Sequence, residues 1–441
     1  MLKSLFCFIF IFWQQLFFCQ SQFEYTNLKK KTSIPFTVIN NLIIIPVNVN
    51  GVSLNFLLDT GVEETILFSL DESNEIVFSD TEKIRMKGLG SKDSFFGYKS
   101  TKNKVKIKDI IDNNHIIYLV LDQEINISSQ IGVPINGIIG YNFFKNQLIK
   151  IDYESNKIIV YKNKIKQIDK LKNYTKIPIT FHDGKPYVEA TALMEDNLIK
   201  TKLLIDTGNS DAIWLFQNTN DKIRVPKSNF PDFLGRGFSG DVYGSRGRIE
   251  DFAIKDFRFS KPLVAFPDTI STVDIDNLND RNGSVGAELM RRFTVFYDYE
   301  NQAMYLKKNS FFNDDFNFNM SGIEIQHQGL QWFQEAYLDS NSKGSNDLFD
   351  ASGERISNKL KYKFELKPVY IISNIQKNSP ADIAGLQKED IIVKINKRNG
   401  FNYSLKQIND LLKSEEGKII NFEVDRKGKI IKIKFKLKSV I

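Results

Sequence analysis

Cysteine and histidine are scarce in this sequence. The two cysteines, Cys7 and Cys19, both lie within the first 21 of 441 residues. If this segment is removed, no thiol remains, which excludes disulfide bonds, thiol catalysis and thiolate metal sites. The three histidines, at positions 115, 182 and 327, form no paired spacing such as His-Glu-x-x-His. We therefore predict neither a metal site nor a cofactor.

The sequence also lacks a concentrated basic segment. Its net charge of +7 is modest, and 60 lysines and arginines are interspersed with 53 acidic residues. This distribution is typical of a solvated surface and gives no support to a nucleic-acid partner. A hydrophobic content of 42% and an aromatic content of 12% indicate a globular protein rather than a disordered one. The length predicts about two to four domains.

The first 21 residues differ in character from the rest. Lys3 precedes an apolar run over residues 5–18, and small residues follow at Cys19 and Ser21. This order predicts a secretory signal peptide cleaved near Ser21, and hence export to the periplasm or cell envelope, or secretion. Two alternatives remain open. One is an uncleaved anchor in contact with the membrane, and the other is lipidation at Cys19, against which the bulky preceding phenylalanines argue.

One short phrase occurs twice in the chain. Residues 56–61 are Phe-Leu-Leu-Asp-Thr-Gly, and residues 203–208 are Leu-Leu-Ile-Asp-Thr-Gly. An apolar run that ends in Asp-Thr-Gly predicts a buried strand that carries one carboxylate into a tight turn. Taken alone, each tripeptide fits equally well a strand that ends in a turn, with its Asp capping its own backbone.

Further landmarks repeat in register with this phrase. Each copy is followed by an apolar segment closing in glycine and then by an Asp-Tyr-Glu hairpin. In the first copy, Gly140 and Asp152 lie 81 and 93 residues after the motif Asp. In the second copy, Gly286 and Asp298 lie 80 and 92 residues after it. Chance does not hold several landmarks in register. We infer two copies of one unit of about 140 residues, built mostly from strands and hairpin turns.

The two units resemble the lobes of retropepsin- and pepsin-type aspartic proteases over residues 35–308. The resemblance implies two tandem, mainly β barrel lobes that form a bilobal protease fold, with one Asp from each lobe at the seam. By position, the implied catalytic residues are Asp59 and Asp206. In the family, the next two residues of each motif tie the loops together and support the carboxylates, and here these are Thr60, Gly61, Thr207 and Gly208.

The resemblance implies hydrolysis of peptide bonds in peptide or protein substrates. Two carboxylates in contact share one proton, so one can activate a water while the other donates to the substrate carbonyl. Val62 and Asn209 stand where the family usually has Ser or Thr. Thr65 and Ser210 are nearby hydroxyls that could replace them. These departures keep a second hypothesis open, a catalytically inactive, aspartic-protease-like scaffold that binds peptides.

Members of the family cover the cleft with a hairpin flap, and residues 88–98 and 235–247 are the candidates. Residues 235–240 also fit the dinucleotide-binding pattern Gly-x-Gly-x-x-Gly. That pattern needs a strand before it and a helix after it. Here Pro231 precedes it and strand-like residues follow. A hairpin is therefore the better interpretation.

The C-terminal part contains one distinctive phrase. Residues 379–392 are Ser-Pro-Ala-Asp-Ile-Ala-Gly-Leu-Gln-Lys-Glu-Asp-Ile-Ile. This phrase resembles that of a PDZ domain of the bacterial protease-associated kind, and the resemblance covers residues 320–438. Ser379 suits a helix N-cap, and a second helix is predicted at 404–414. The resemblance implies that a C-terminal peptide ligand joins a sheet edge beside this helix. Residues 367–372 are the candidate loop and edge strand.

These observations predict five segments. They are a signal peptide (1–21), an N-terminal protease lobe (22–165), a C-terminal protease lobe (166–310), a linker (311–319) and an α+β PDZ domain (320–438). The combination is typical of an envelope protease of a Gram-negative bacterium.

Overall fold

The structure is a computed structural model that describes residues 22–69, 75–87, 94–120, 127–237, 240–268, 280–338 and 360–441. The predicted signal peptide, residues 1–21, lies outside the described residues. Strands dominate the regular structure, which confirms the mainly β prediction. In the ranges given, no helix has the length and hydrophobicity needed to cross a membrane.

The described residues of the first half form one set of short strands and helices. They are β1 (Glu24–Tyr25), β2 (Lys31–Pro35), β3 (Thr37–Ile39), β4 (Leu42–Val49), β5 (Val52–Leu58), β6 (Thr65–Leu67), β7 (Thr81–Lys87), β8 (Ser94–Ile107), β9 (Ile110–Val120), α1 (Ile127–Ile131), β10 (Gly137–Ile139), α2 (Tyr141–Phe144), β11 (Leu148–Asp152), β12 (Lys157–Tyr161) and α3 (Lys164–Ile168).

The second half forms a similar set. It comprises β13 (Thr175–Pro178), β14 (Thr180–His182), β15 (Lys185–Met194), β16 (Asn197–Asp206), β17 (Ile213–Leu215), β18 (Asn229–Gly237), β19 (Gly240–Arg248), β20 (Asp251–Ile254), β21 (Phe257–Ser260), β22 (Leu263–Pro267), β23 (Gly283–Gly286), α4 (Ala287–Met290), β24 (Phe293–Asp298) and β25 (Ala303–Lys308).

The two halves share a strand arrangement around their Asp-Thr-Gly motifs. In the first half, β5 runs parallel to β10, and β6 pairs antiparallel with the other edge of β10. In the second half, β16 and β17 flank β23 in the same two orientations. The strands that precede both motifs are rich in Leu, Ile and Phe, as buried strands require. The register found in the sequence therefore corresponds to a repeated strand order.

A sheet shared by both halves holds the lobes together. Its strand order is β13-β25-β24-β11-β12-β2, so each half contributes three strands. At the centre β11 pairs antiparallel with β24, with Leu148 opposite Asp298 and Asp152 opposite Thr294. All six residues of β24 are buried. The lobes are thus joined by a continuous backbone ladder and a common apolar core, which fixes the relative position of the two motifs.

The C-terminal domain has its own sheet and core. Its elements are β26 (Ile323–Leu338), β27 (Leu360–Ile375), α5 (Pro380–Ile383), β28 (Ile391–Ile395), β29 (Arg398–Asn399), α6 (Leu405–Leu412), β30 (Ile419–Arg426) and β31 (Lys429–Lys436). Ser379 accepts a hydrogen bond from the N–H of Asp382 and caps α5, as predicted. Helix α6 begins at a capping box of Ser404 and Gln407. Its apolar face belongs to the domain core.

The predicted edge strand at residues 367–372 is wrong. These residues belong to β27, which lies between β26 and β28, and Ile371 pairs with Gln326 on one side and Ile391 on the other. The edge strand is β26. The first lobe approaches this edge, since α1 lies beside β26 and Gly132 packs directly against Leu405 of α6. The sequence did not show this because the residues of a strand do not indicate which strands pair with its two sides.

The C-terminal domain also contacts the second lobe through a cluster of charged side chains. Arg246 of β19 forms ion pairs with Asp211 (2.8 Å) and Asp232. Glu324 of β26 faces this cluster, together with Lys413. Burial raises the pKa of Glu324 to about 8, and the charge of Asp232 adds to the rise, although Arg246 and Lys413 oppose it. Glu324 therefore keeps a proton in the folded protein that it gives up in the unfolded chain.

Glu324 gives the folded protein a pH dependence that Glu324→Gln is expected to remove. Because the folded pKa is raised, its contribution to stability is complete below the ordinary glutamate pKa and is lost as the pH rises towards 8. The variant should therefore gain stability relative to the wild type across this window, by about 4 kcal/mol in the free energy of unfolding at its upper end. Denaturant titrations at several pH values measure the difference. The exposed Glu82→Gln serves as control, and a pH-independent difference at Glu324 would contradict the prediction.

Candidate active site

Each motif Asp stands at the end of a buried strand. Asp59 follows the last residue of β5, and its N–H donates to the carbonyl of Ile139 in β10 (3.0 Å). Asp206 is the last residue of β16 and lies opposite Gly286 of β23. Because the shared sheet fixes the lobes, both strands deliver their carboxylates to one point between the lobes. Asp59 is buried, with 8% of its surface exposed, and Asp206 is partly buried.

Thr60 and Thr207 cross-link the two loops. The N–H of Thr60 donates to the Thr207 hydroxyl (3.0 Å), and the N–H of Thr207 donates to the Thr60 hydroxyl (3.1 Å). Each hydroxyl then donates to a carbonyl of the other lobe, Thr60 to Ile205 (2.7 Å) and Thr207 to Leu58 (2.9 Å). Both threonines are fully buried. Reciprocal, satisfied hydrogen bonds of this kind hold the two loops at a fixed separation.

Gly61 and Gly208 allow the two carboxylates to meet. The N–H of Gly61 donates to Asp59 Oδ1 (2.7 Å), and the N–H of Gly208 donates to Asp206 Oδ1 (3.1 Å). Each glycine also faces the carboxylate of the other lobe. A Cβ at Gly208 would lie 2.1 Å from Asp59 Oδ2, and a Cβ at Gly61 would lie 2.9 Å from Asp206 Cγ. Only a residue without a side chain fits at either position.

The environment of the pair is not symmetric. Burial raises the pKa of Asp59 well above its usual range, and the charge of Asp206 raises it further. Burial also raises the pKa of Asp206, but the positive charge of Arg281 and the N–H of Asn209 counteract the rise. Both pKa values are thus raised, so the pair keeps one proton to higher pH than an exposed aspartate would, and the positive charge of Arg281 favours the ionised form on the Asp206 side.

Asn209 supports Asp206 through its backbone rather than through a hydroxyl. Its N–H donates to Asp206 Oδ1 (3.0 Å). Its side chain is used locally, accepting from the N–H of Asp211 (3.0 Å) and donating to Ser284 (3.3 Å). Val62, the equivalent residue in the first lobe, has no polar side-chain atom, but its carbonyl accepts from the N–H of Tyr141 (3.1 Å). The loop conformation is thus preserved although the hydroxyls are missing.

Thr65 does not replace the missing hydroxyl. Its Oγ1 lies 2.7 Å from His115 Nε2, and His115 Nδ1 lies 2.8 Å from Asp112 Oδ2, all within the lobe core. Among the hydrogen bonds of the described residues, the Ser210 side chain does not reach the pair either. His115 is consequently a core residue. The described residues contain no group of three or more His, Cys, Asp or Glu side chains that could hold a metal ion.

Two asparagines were missed by the sequence reasoning. Asn136 Oδ1 accepts from the N–H of Asn55 (2.9 Å), and Asn282 Oδ1 accepts from the N–H of Lys202 (2.9 Å). Each bond ties the strand before a motif Asp to the strand beside it. The sequence repeat could have revealed them, because both asparagines precede a glycine and lie at matching distances of 77 and 76 residues from the Asp of their own motif.

Both candidate flaps are hairpins as far as they are described. The first is formed by β7 and β8, and residues 88–93 of this candidate lie outside the described residues. The second is formed by β18 and β19, with Gly237 opposite Gly240. The dinucleotide-like pattern at 235–240 therefore runs through a hairpin, and β19 follows it in place of the helix that a nucleotide site requires.

Two parts of the chain match known protein families. Residues 45–143 match the aspartyl protease family model, and residues 371–426 match the PDZ domain model. No curated protein matches the sequence. Among solved structures, the aspartic proteinase of Irpex lacteus is 15% identical with a TM-score of 0.41, over 65% of this chain and all of that chain. The family matches confirm both resemblances, to a pepsin- or retropepsin-like protease and to a C-terminal PDZ domain. The segment boundaries predicted above remain predictions.

Proposed function

We propose that this protein hydrolyses internal peptide bonds of peptides or proteins as an aspartic endopeptidase. The observation that carries the proposal is the contact of two carboxylates, the buried Asp59 and the partly buried Asp206, one from each lobe. Their separation is set by the Thr60–Thr207 cross-link. Such a pair can hold one proton and act as acid and base together.

The asymmetry of the pair assigns a role to each carboxylate. Asp206 carries the charge and takes a proton from a water that lies between the two. Asp59 carries the shared proton and donates it to the carbonyl oxygen of the substrate. The water oxygen bonds to the carbonyl carbon and gives a tetrahedral intermediate. Asp206 then passes its new proton to the leaving nitrogen as the C–N bond breaks. Asp59 takes back a proton from a hydroxyl of the intermediate as the carboxylic acid product forms, which restores the starting state of the pair.

The remaining parts of the chain support a role outside the cytoplasm. Residues 1–21 have the order of a secretory signal, and export to the periplasm or cell envelope is part of the proposal. The PDZ domain would bind the C-terminal segment of a peptide or protein and bring it near the lobes. A second candidate, a peptide-binding protein without turnover, is favoured by Val62, which supplies no hydroxyl to Asp59.

Cleavage of a peptide library by the full-length protein and by Asp206→Asn tests the function. Asn nearly preserves the shape of Asp206 but cannot accept the proton of the water. We expect the variant to lose about 10³-fold in rate. The wild-type rate should fall at high pH when Asp59 loses its proton, at a pH above the usual range for aspartate because its pKa is raised. Equal rates in both proteins would overturn the proposal. Peptide binding without any cleavage would establish the second candidate.

A further inference from the structure

An unusual apolar surface lies on the long hairpin of β26 and β27. Five large side chains there are about half exposed or more, namely Leu330 (60%), Trp332 (66%), Tyr362 (52%), Phe364 (59%) and Leu366 (47%). The strand register places Trp332 opposite Leu366 and Gln334 opposite Phe364. Because side chains alternate between the faces of a strand, all five lie on one face. We call this set the aromatic face.

The other face of the hairpin is turned towards the domain. Phe333 packs on Phe401 with ring centroids 4.6 Å apart. Glu365 forms ion pairs with Lys363 and Lys367 on this same side. The members of the aromatic face, in contrast, belong to none of the apolar clusters formed by the described residues. The hairpin is therefore amphipathic, and its apolar side is the outer one.

The aromatic face is large for a surface feature. Large apolar side chains have areas of about 150–250 Å² each, so five that are half exposed present roughly 600 Å². That value lies at the upper end of the largest apolar patches on monomeric proteins, which are often functional. Single exposed apolar residues occur elsewhere, for example Leu198 and Ile383, but they are isolated. The patch indicates an interaction surface.

The distribution of charge points to the kind of partner. Residues 320–441 contain 21 basic and 15 acidic side chains, whereas residues 22–319 contain 38 of each. The positive charge of the protein is thus concentrated in the domain that carries the aromatic face. A second copy of the domain would be repelled by this charge, and an anionic surface would be attracted. Trp and Tyr beside Phe and Leu are also the side chains that favour the interface between lipid and water.

We propose that the aromatic face docks on the surface of a bilayer that contains anionic phospholipid. The hairpin would lie along the interface, with its five apolar side chains at the level of the headgroups and the basic domain above them. The contact is peripheral and does not require residues 1–21. It is also independent of catalysis, because none of the five residues belongs to the carboxylate site.

Vesicle sedimentation with full-length proteins tests the proposal. The vesicles are phosphatidylcholine alone or phosphatidylcholine mixed with phosphatidylglycerol. The triple variant Leu330→Ser/Trp332→Ser/Phe364→Ser is compared with the wild type and with Leu198→Ser, which changes an equally exposed leucine outside the patch. Residues 1–21 are common to all three proteins, so they do not contribute to the differences. Circular dichroism confirms that the variants are folded.

We expect the triple variant to bind the mixed vesicles at least about tenfold more weakly than the wild type and Leu198→Ser. Wild-type binding should weaken in high salt and on neutral vesicles. Trp332→Phe should retain binding, because it keeps an aromatic side chain. Equal binding by wild type and triple variant, or equal binding to both vesicles, would overturn the proposal. If the wild type forms a dimer that the triple variant does not form, and neither protein binds vesicles, the aromatic face is a contact with a second copy instead.

Discussion

Gly208→Ala is expected to lower the rate of peptide hydrolysis about 10³-fold, as much as loss of a catalytic carboxylate. The added Cβ would lie 2.1 Å from Asp59 Oδ2, which is far inside contact distance. Asp59 would have to leave its position opposite Asp206, so the two carboxylates could no longer share a proton. The backbone at Gly208 does not need a positive φ, and the effect therefore comes from the carboxylate and not from backbone strain.

Kinetic assays of Gly208→Ala and Gly61→Ala provide a graded comparison. At Gly61 the added Cβ lies 2.9 Å from Asp206 Cγ, so a smaller shift relieves the contact. The loss of rate should accordingly be smaller for Gly61→Ala. If Gly208→Ala stays within about tenfold of the wild type with an unchanged unfolding midpoint, the close contact of the carboxylates is not needed for catalysis.

Thr207→Val is expected to lower the free energy of unfolding by about 3 kcal/mol. The Thr207 hydroxyl accepts from the N–H of Thr60 and donates to the carbonyl of Leu58. Valine has nearly the same shape, but it leaves both groups buried without their partner. Each unsatisfied buried group costs about 1–3 kcal/mol. The loss should also reduce hydrolysis, because the two loops are no longer held together.

Denaturant unfolding measures this loss, with Thr207→Ser as the control that keeps the hydroxyl. The serine variant should lie within about 1 kcal/mol of the wild type. The double variant Thr60→Val/Thr207→Val should lower the free energy of unfolding by less than the sum of the two single variants, because both residues belong to one hydrogen-bond network. Strict additivity would show that the two threonines act independently.

The lobes were predictable because their evidence is local and repeated. Apolar strands ending in Asp-Thr-Gly, glycine-closed segments and Asp-Tyr-Glu hairpins each carry their own signal, and their common register linked them. The environment of the carboxylates was not predictable in this way. Arg281 lies 75 residues after Asp206, and no sequence pattern connects the two. Which carboxylate keeps the proton depends on this packing.

In the C-terminal domain, too, local features could be predicted from the sequence and contacts between elements could not. The N-cap Ser379 placed α5 correctly, and the apolar face of residues 404–414 placed α6, since both signals act within their own helix. The predicted edge strand was wrong because the residues of a strand do not show which strands pair with its two sides, here β26 and β28. The aromatic face was visible as alternate apolar residues at Leu330 and Trp332 and again at Tyr362, Phe364 and Leu366. Alternation alone does not show whether such a face is covered.

The two halves of the carboxylate site belong to one chain, so the surroundings of the two carboxylates do not have to be identical. In an assembly of two identical subunits, any residue near one carboxylate must also stand near the other. Here Arg281 of the second lobe corresponds to Ile135 of the first, so the positive charge appears on one side only. If the protein cleaves peptides as proposed, a bound polypeptide would meet a different environment on each side of the scissile bond. Such a site would distinguish the direction in which the substrate runs, which a symmetric site cannot do.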